Sequence, residues 1–157
     1  MIKNKYSKIK LIIYDFDGVM TDNTFILDKN GNESVKLNRS DGFAISELKK
    51  LNIKQIILST EKNNIVKIRA KKLKINCYND IENKEIFLKE YSVRKNFKFG
   101  EICYVGNDIN DYDAMKYCKY KFCPSDAVTK IKKISDFILP SKGGDGVIRD
   151  FYEKLKV

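Results

Sequence analysis

The sequence contains no histidine, and none of its cysteines forms a Cys-x-x-Cys pair. Without an imidazole, a Ser-His-Asp triad and every other histidine-dependent mechanism are excluded. The four cysteines, Cys77, Cys103, Cys118 and Cys123, have neither the spacing nor the histidine partners of a zinc site. We therefore expect reduced thiols that are mostly buried.

Long apolar runs are also missing. None approaches the roughly 20 residues of a membrane helix. Near the basic N-terminus, Asp15 and Asp17 interrupt the apolar run before it reaches the length of a signal peptide. We expect a cytoplasmic protein without a membrane segment. Its 157 residues, 43% hydrophobic and 33% charged, fit one globular domain over residues 1–157.

The formal net charge is +10. Such a charge is typical of a nucleic-acid-binding surface, or of a lysine-rich protein that attracts an anionic substrate. The lysines are spread along the chain, with the densest group at Lys67–Lys74, and no nucleic-acid motif accompanies them. The second interpretation is favoured, and no nucleic-acid partner is expected.

Apolar runs of strand length alternate with helical patterns, which predicts an α/β fold with a parallel sheet covered on both faces. The predicted strands are Lys10–Tyr14, Ile53–Leu58, Glu101–Val105, Lys121–Cys123 and Phe137–Leu139. The predicted helices are Asp41–Leu51, Asn63–Leu73, Asn83–Tyr91, Asp111–Cys118, Asp126–Lys132 and Gly146–Lys156.

A β-hairpin interrupts this alternation. Two short predicted strands, Thr24–Leu27 and Ser34–Leu37, flank an Asn-Gly turn signal at Asn30-Gly31. The hairpin follows the first strand, at the sheet edge where open parallel sheets bind ligands. It is either a flap over a site, an oligomer contact or a plain surface hairpin, and its position favours a functional role.

Two carboxylates, Asp15 and Asp17, follow the first predicted strand, and Gly18 permits a tight turn directly after them. An ionised aspartate in an apolar run is costly unless it is paired or bound to a metal. Two like charges this close favour a shared cation, and oxygen ligands indicate Mg²⁺. Taken alone, the pattern fits a solvated turn equally well.

Further polar groups follow the later elements at the same sheet edge. A hydroxyl and a cation there would hold phosphoryl oxygens, and a second acidic turn would complete a metal site. These residues are Ser59 and Thr60 after the second strand, Lys84 at a helix start, and Asn107, Asp108 and Asp111 after the third strand.

These segments, in this order, resemble the four motifs of the haloacid dehalogenase superfamily. The C-terminal stretch Lys142–Arg149, with Gly143, Gly144 and Gly146, resembles the tail of its small sugar-acid phosphatases. The resemblance covers nearly the whole chain and implies a Rossmann-like doubly wound sheet, a hairpin flap and no cap domain. Its motif segments are Asp15-Phe16-Asp17-Gly18-Val19-Met20-Thr21-Asp22, Ser59, Lys84 and Gly106-Asn107-Asp108.

The resemblance also implies roles for these residues. Asp15 would attack phosphorus and form an aspartyl-phosphate. Asp17 would protonate the leaving oxygen and then activate water. The phosphoryl oxygens would be held by Ser59, Thr60 and Lys84, and Mg²⁺ by Asp15, the carbonyl of Asp17 and the turn of Asn107 and Asp108, with Asp111 behind them.

One position departs from the family pattern. The metal-binding turn usually begins Gly-Asp-Asp, and here it is Gly106-Asn107-Asp108. If Asn107 takes the place of the first carboxylate, the site loses one negative charge and holds Mg²⁺ more weakly. If Asp108 is the direct ligand, nothing is lost. This departure leaves open a catalytically weak assembly domain that accompanies a separate sialic-acid cytidylyltransferase.

The second motif bears on the substrate. Phosphatases of 3-deoxy-D-manno-octulosonate 8-phosphate typically carry Thr-Gly-Arg there, whereas their nine-carbon relatives carry a glutamate, as this chain does at Glu61. Those relatives also place basic residues on the next helix, matching Arg69 and Lys72. Helical periodicity puts Arg69 within the apolar arc and Lys72 at its edge, so Arg69 either meets an acidic partner, such as a substrate carboxylate, or snorkels to water.

We therefore expect a phosphorylated sugar acid as the substrate, a nine-carbon 2-keto-3-deoxy acid 9-phosphate first and the octulosonate 8-phosphate as the alternative. Family members of this type are homotetramers in which the hairpin, and often the tail, reach a neighbour's active site. The resemblance implies the same for Thr24–Leu37 and for Gly143–Gly146.

Overall fold

The structure, a computed structural model, describes residue 2 and residues 4–156. Six parallel strands form one sheet in the order β5-β4-β1-β6-β7-β8, and β2 and β3 form a separate antiparallel hairpin. The strands are β1 (Leu11–Tyr14), β2 (Ile26–Leu27), β3 (Glu33–Ser34), β4 (Lys54–Leu58), β5 (Asn76–Tyr78), β6 (Ile102–Val105), β7 (Tyr120–Cys123) and β8 (Phe137–Ile138).

Helices cover both faces of this sheet because its central strands are apolar on both sides. In β1, Ile12 and Tyr14 pack against α1, α2 and α6, whereas Leu11 and Ile13 pack against α3, α4 and α5. This alternation follows from the period of two along a strand. The helices are α1 (Arg39–Lys50), α2 (Ile65–Leu73), α3 (Lys84–Lys95), α4 (Tyr112–Lys116), α5 (Thr129–Ile134) and α6 (Val147–Lys156).

The strand order creates a crevice beside β1. From β1 the chain adds β4 and β5 on one side, and it then crosses to add β6 on the other side. Ligands of open parallel sheets bind outside the carboxyl ends of the strands at such a point. Asp15 follows β1 and Asn107 follows β6, so the two sequence motifs meet there. The predicted doubly wound α/β fold is confirmed.

Three details differ from the sequence-based expectations. The edge strand β5, which has only three residues and pairs on one side alone, was not among the predicted strands. The hairpin strands are two residues each, since Val35 and Leu37 pack against the main core instead of extending the ladder. The third helix reaches Lys95, where Asn96 ends it in a left-handed conformation.

Within the described part of the chain, no helix is both long enough and apolar enough to cross a membrane.

Candidate active site

The floor of the crevice is built by the turn after β1. The N–H of Asp15 donates to the carbonyl of Val105 at 3.0 Å, so the chain leaves β1 still attached to β6. Gly18 then adopts a φ of +79°, and a Cβ there would lie 1.9 Å from Nδ2 of Asn107. Only glycine fits this position without moving Asn107, which explains the Asp-x-Asp-Gly pattern.

A buried ion network lies behind Asp15. The Nζ atom of Lys84 is 2.7 Å from Oδ1 of Asp15 and 2.7 Å from Oδ1 of Asp111, and all three side chains are almost completely buried. Asn83 caps the helix that Lys84 begins, since its side chain accepts the N–H of Ile86. The lysine therefore reaches the floor from a fixed helix start.

The two carboxylates and the lysine shift one another's proton affinities. Burial lowers the pKa of Lys84, but the charges of Asp15 and Asp111 outweigh it, so the pKa is raised and the lysine stays protonated. Burial and the charge of Asp111 raise the pKa of Asp15 to about 8, against the opposing effect of Lys84. A second cation near Asp15 would favour its ionised form.

Asp111 holds this network in place. Its Oδ1 accepts the hydroxyl of Tyr104 at 2.8 Å as well as Lys84, and its Oδ2 accepts the backbone N–H of Asn107 at 2.9 Å. The position of Asp111 behind the site agrees with its predicted role. Tyr104 was not predicted, because a tyrosine in a buried strand is indistinguishable from a core residue until its hydroxyl partner is known.

Asn107 points its amide at Asp15. Its Oδ1 lies 3.2 Å from Oδ2 of Asp15 and 2.8 Å from the carbonyl oxygen of Asp17, while the opposite orientation would let Nδ2 donate to both. Asp108 instead accepts the N–H of Ile109 at 2.6 Å and is partly exposed. Of the two predicted metal ligands in this turn, the geometry favours Asn107.

Asp17 lies on the open side of the floor. Its Oδ1 accepts the hydroxyl of Thr21 at 3.3 Å, and Thr21 also accepts the N–H groups of Gly18 and Asn23. Burial, followed by the charge of Glu61, raises the pKa of Asp17, against the effect of Thr21. A raised pKa favours the protonated form of the carboxyl, which is the form that a general acid needs.

The floor opens into a cleft of about 290 Å³. Ser59 is buried beside it, and its Oγ accepts the N–H of Glu61 at 3.0 Å, which leaves the hydroxyl proton available for donation. Thr60 and Glu61 reach the cleft directly. The lining residues are Asp15, Asp17, Asn23, Thr24, Phe25, Glu33, Val35, Thr60, Glu61, Ile65, Asn107, Asp108 and Asn110.

The predicted specificity residues separate in space. Glu61 lines the cleft, where its Oε1 accepts the N–H of Asn63 at 2.7 Å. Arg69 is buried as predicted, but its NH2 group donates to the carbonyl of Asn38 at 2.9 Å within the same chain. Lys72 is exposed on α2 and does not line the cleft. Substrate contacts by Arg69 and Lys72 stay predictions.

The glycine-rich tail packs against the loop after β1 of its own chain, and its contact with a neighbour's active site stays a prediction. Gly144 donates its N–H to the carbonyl of Val19 at 3.1 Å. A Cβ on Gly143 would lie 2.5 Å from the carbonyl oxygen of Gly18, and one on Gly144 would lie 2.6 Å from the backbone nitrogen of Asp22. The glycines permit backbone contact with the loop after β1. Gly146, also buried, has a φ of +90° just before α6.

Residues 1–150 match the family model of haloacid dehalogenase-like hydrolases. The 3-deoxy-D-manno-octulosonate 8-phosphate phosphatase of Haemophilus influenzae is 28% identical over 98% of this chain and 86% of its own length. N-acylneuraminate cytidylyltransferase A of Danio rerio is 27% identical over 98% of this chain, which spans 36% of that longer protein.

The chain is also similar to a solved phosphatase structure. The 3-deoxy-D-manno-octulosonate 8-phosphate phosphatase of Moraxella catarrhalis, in complex with a magnesium ion, a phosphate ion and a KDO molecule, has a TM-score of 0.92 and 25% identity, covering 96% of this chain and 87% of its own. Fold, motif residues and family model agree. The chain belongs to the haloacid dehalogenase-like hydrolases and is a phosphatase of that family.

Proposed function

We propose that this phosphatase removes the terminal phosphate from a 2-keto-3-deoxy sugar acid through an aspartyl-phosphate on Asp15. The observation that carries the proposal is the convergence of Asp15, Asp17 and Lys84 at the carboxyl end of β1, with Lys84 2.7 Å from Asp15. The carboxylate of Asp15 is fixed by the buried Lys84, and the carboxylate of Asp17 lies at the opening of the cleft with a raised pKa.

In the first step, a carboxylate oxygen of Asp15 forms a bond to phosphorus while the bond between phosphorus and the sugar oxygen breaks. Asp17 gives its proton to that sugar oxygen, which leaves as a hydroxyl. In the second step, Asp17 takes a proton from water, whose oxygen attacks phosphorus, and the bond to Asp15 breaks to release phosphate. Lys84 balances the charge that develops on the phosphoryl oxygens.

The donor set fits a divalent cation. The three oxygens are Oδ2 of Asp15, the carbonyl of Asp17 and Oδ1 of Asn107, with two separations of 3.2 and 2.8 Å. Adjacent ligands of an octahedral Mg²⁺ lie about 3.0 Å apart when each bond is about 2.1 Å. Among the described residues, no three His, Cys, Asp or Glu side chains form a metal cluster, but this set uses one carboxylate, one carbonyl and one amide. A bound Mg²⁺ would polarise the phosphoryl group.

The nine-carbon substrate is the first choice because Glu61 stands in the cleft. A carboxylate there accepts hydrogen bonds from hydroxyls, which a longer sugar tail supplies. The similarity to an N-acylneuraminate cytidylyltransferase supports the same choice. The similarity to octulosonate phosphatases keeps the eight-carbon 8-phosphate as the alternative.

The test is kcat/KM with Mg²⁺ for 2-keto-3-deoxynononate 9-phosphate and for 3-deoxy-D-manno-octulosonate 8-phosphate. We expect wild type to prefer the nine-carbon ester and Glu61→Arg to shift the ratio toward the eight-carbon ester by roughly 10-fold or more. Glu47→Arg, which makes the same charge change on α1 outside the cleft lining, is the matched control. An unchanged ratio in Glu61→Arg would remove Glu61 from the specificity argument.

The homotetramer also remains our proposal. Three apolar side chains of the hairpin, Phe25, Ile26 and Leu27, are exposed by 59%, 74% and 60%, beside the cleft. An apolar strand left open on one side favours burial against another copy. Light scattering of wild type and of a Phe25→Ser, Ile26→Ser variant measures this directly, and a monomeric wild type would contradict it.

A further inference from the structure

We propose that Asn107 makes the binding of the divalent cation in this chain depend on the phosphoryl group. The cation binds weakly to the protein alone and tightly once a phosphate dianion is in the cleft. The inference rests on the metal site of the proposed function, and it concerns this chain because an amide, not a carboxylate, faces Asp15.

The amide stabilises the site without a cation. Turned by half a rotation, Nδ2 of Asn107 donates to Oδ2 of Asp15 at 3.2 Å and to the carbonyl of Asp17 at 2.8 Å. Asn107 is 8% exposed, so these bonds face little competition from water. A cation has to displace both bonds before Oδ1 can coordinate it. An aspartate could not donate there, and it would repel Asp15.

The charge of the ligand set is also low. Asp15 supplies the one formal negative charge, because Asp17 offers its carbonyl and Asn107 its amide oxygen. Behind it, Lys84 lies 2.7 Å from Oδ1 of Asp15 and 2.7 Å from Oδ1 of Asp111, so these three buried groups together carry one net negative charge. A divalent cation would therefore leave excess positive charge at the floor. A phosphate dianion neutralises this excess, so each ligand strengthens the binding of the other.

Linkage makes the effect reciprocal: the factor by which phosphate tightens Mg²⁺ binding equals the factor by which Mg²⁺ tightens phosphate binding. We expect a factor of at least roughly 5 in wild type. In Asn107→Asp, Mg²⁺ should bind roughly 10-fold or more tightly without phosphate, because the added carboxylate attracts the cation and cannot donate to Asp15. The coupling factor should fall accordingly.

The experiment is calorimetric titration of the whole protein with Mg²⁺, with and without saturating inorganic phosphate. Asn110→Asp is the matched control, since it adds the same charge at the cleft three residues away, where its side chain meets Thr60 instead of Asp15. The melting temperature without metal should be lower in Asn107→Asp than in wild type. If Asn107→Asp does not fold, Asn107→Ala replaces it and should lose Mg²⁺ binding even with phosphate.

Equal Mg²⁺ affinity of wild type with and without phosphate would overturn the inference. So would a gain in Asn110→Asp as large as that in Asn107→Asp, or full Mg²⁺ binding in Asn107→Ala. These titrations involve no turnover, so they are separate from the proposed function. A protein that hydrolyses neither sugar acid ester but shows the coupling would refute the substrate and keep the role of Asn107.

Discussion

The floor and the rim of the cleft are built in opposite ways. At the floor, Asp15, Lys84 and Asp111 are almost fully buried and bonded to one another. At the rim, the hairpin has two strands of two residues each, and its apolar side chains face outward. In the proposed function, the parallel sheet fixes the groups that act on phosphorus, while a short exposed element borders the rest of the cleft.

Among the variants expected to lower stability, the largest effect should come from removing the cation of the floor. In Lys84→Met, two buried carboxylates lose their counter-charge, so we expect the free energy of unfolding to fall by about 3–5 kcal/mol. We also expect kcat to fall roughly 10³-fold, since the phosphoryl oxygens lose a charged partner. Chemical denaturation and steady-state kinetics measure the two losses.

Lys89→Met is the matched control for this variant. Lys89 lies on the same helix, and its ammonium pairs with Glu85 while its side chain is 50% exposed. An exposed pair of this kind contributes little to stability, because water screens the two charges. If Lys84→Met behaved like Lys89→Met in stability and kcat, the floor would not be the rigid region that we describe.

A second buried carboxylate, Asp41, shows how burial affects stability where the carboxylate is not paired with a cation. Asp41 is completely buried, and its Oδ1 accepts the N–H groups of Ile148 and Arg149. Among the described residues, its Oδ2 has no hydrogen-bond partner and, unlike Asp15, the carboxylate forms no ion pair with a cation. Burial raises the pKa of Asp41 to about 6, against the two N–H groups and the charge of Arg69.

The raised pKa of Asp41 determines how stability changes with pH. The folded state holds the proton of Asp41 more tightly than the unfolded state, whose aspartates titrate near 3.9. The associated stability is present below about pH 4 and is lost as pH rises toward 6. Asp41→Asn should therefore gain about 2 kcal/mol relative to wild type between pH 4.5 and pH 7.5. Urea denaturation at both pH values measures this, with Asp145→Asn as the surface control, and a gap that stays constant with pH would contradict it.

The sequence predicted the floor better than the rim. Continuous apolar strands place Asp15 and Asn107 at one sheet edge, so a short motif and a strand pattern were enough to predict that these residues lie close together. The partners behind them required the fold: Tyr104 is an ordinary core residue in the sequence, and Arg69 donates to the carbonyl of Asn38, a contact between segments far apart in the chain. Periodicity shows which face a side chain occupies, but it does not show which atom it meets.

At the rim, the sequence pattern predicted the extent of the strands less well. The pattern at Ser34–Leu37 predicted a strand, but β3 ends at Ser34. The predicted turn before it is present, and there Asp28 accepts the N–H groups of Asn30 and Asn32. Val35 and Leu37 then face the main core. The family resemblance implied a neighbour as the partner of the tail glycines, and Gly143 and Gly144 lie close to the backbone of their own chain. The sequence alone does not say whose backbone approaches.

Removal of the Tyr104 hydroxyl should have a smaller effect, and it tests whether the orientation of Lys84 matters for turnover. In Tyr104→Phe, Asp111 keeps Lys84 but loses one donor, so we expect kcat to fall about 10-fold with KM unchanged, because the loss acts on the orientation of Lys84 and not on substrate contacts. Tyr14→Phe is the matched control: its hydroxyl, equally buried, donates to Gln55 at 2.8 Å away from the floor. An equal change in both variants, or a change in KM alone, would argue against a positioning role.

In the proposed mechanism, Asp15 attacks the phosphate of a sugar acid ester. Phosphate release from 2-keto-3-deoxynononate 9-phosphate with Mg²⁺, in wild type and in Asp15→Asn, tests it most directly, with circular dichroism to show that both are folded. We predict turnover in wild type that EDTA abolishes, and a loss of at least roughly 10⁴-fold in Asp15→Asn. Turnover that survives in Asp15→Asn, or a wild type that releases phosphate from neither the nine-carbon nor the eight-carbon ester, would contradict the account.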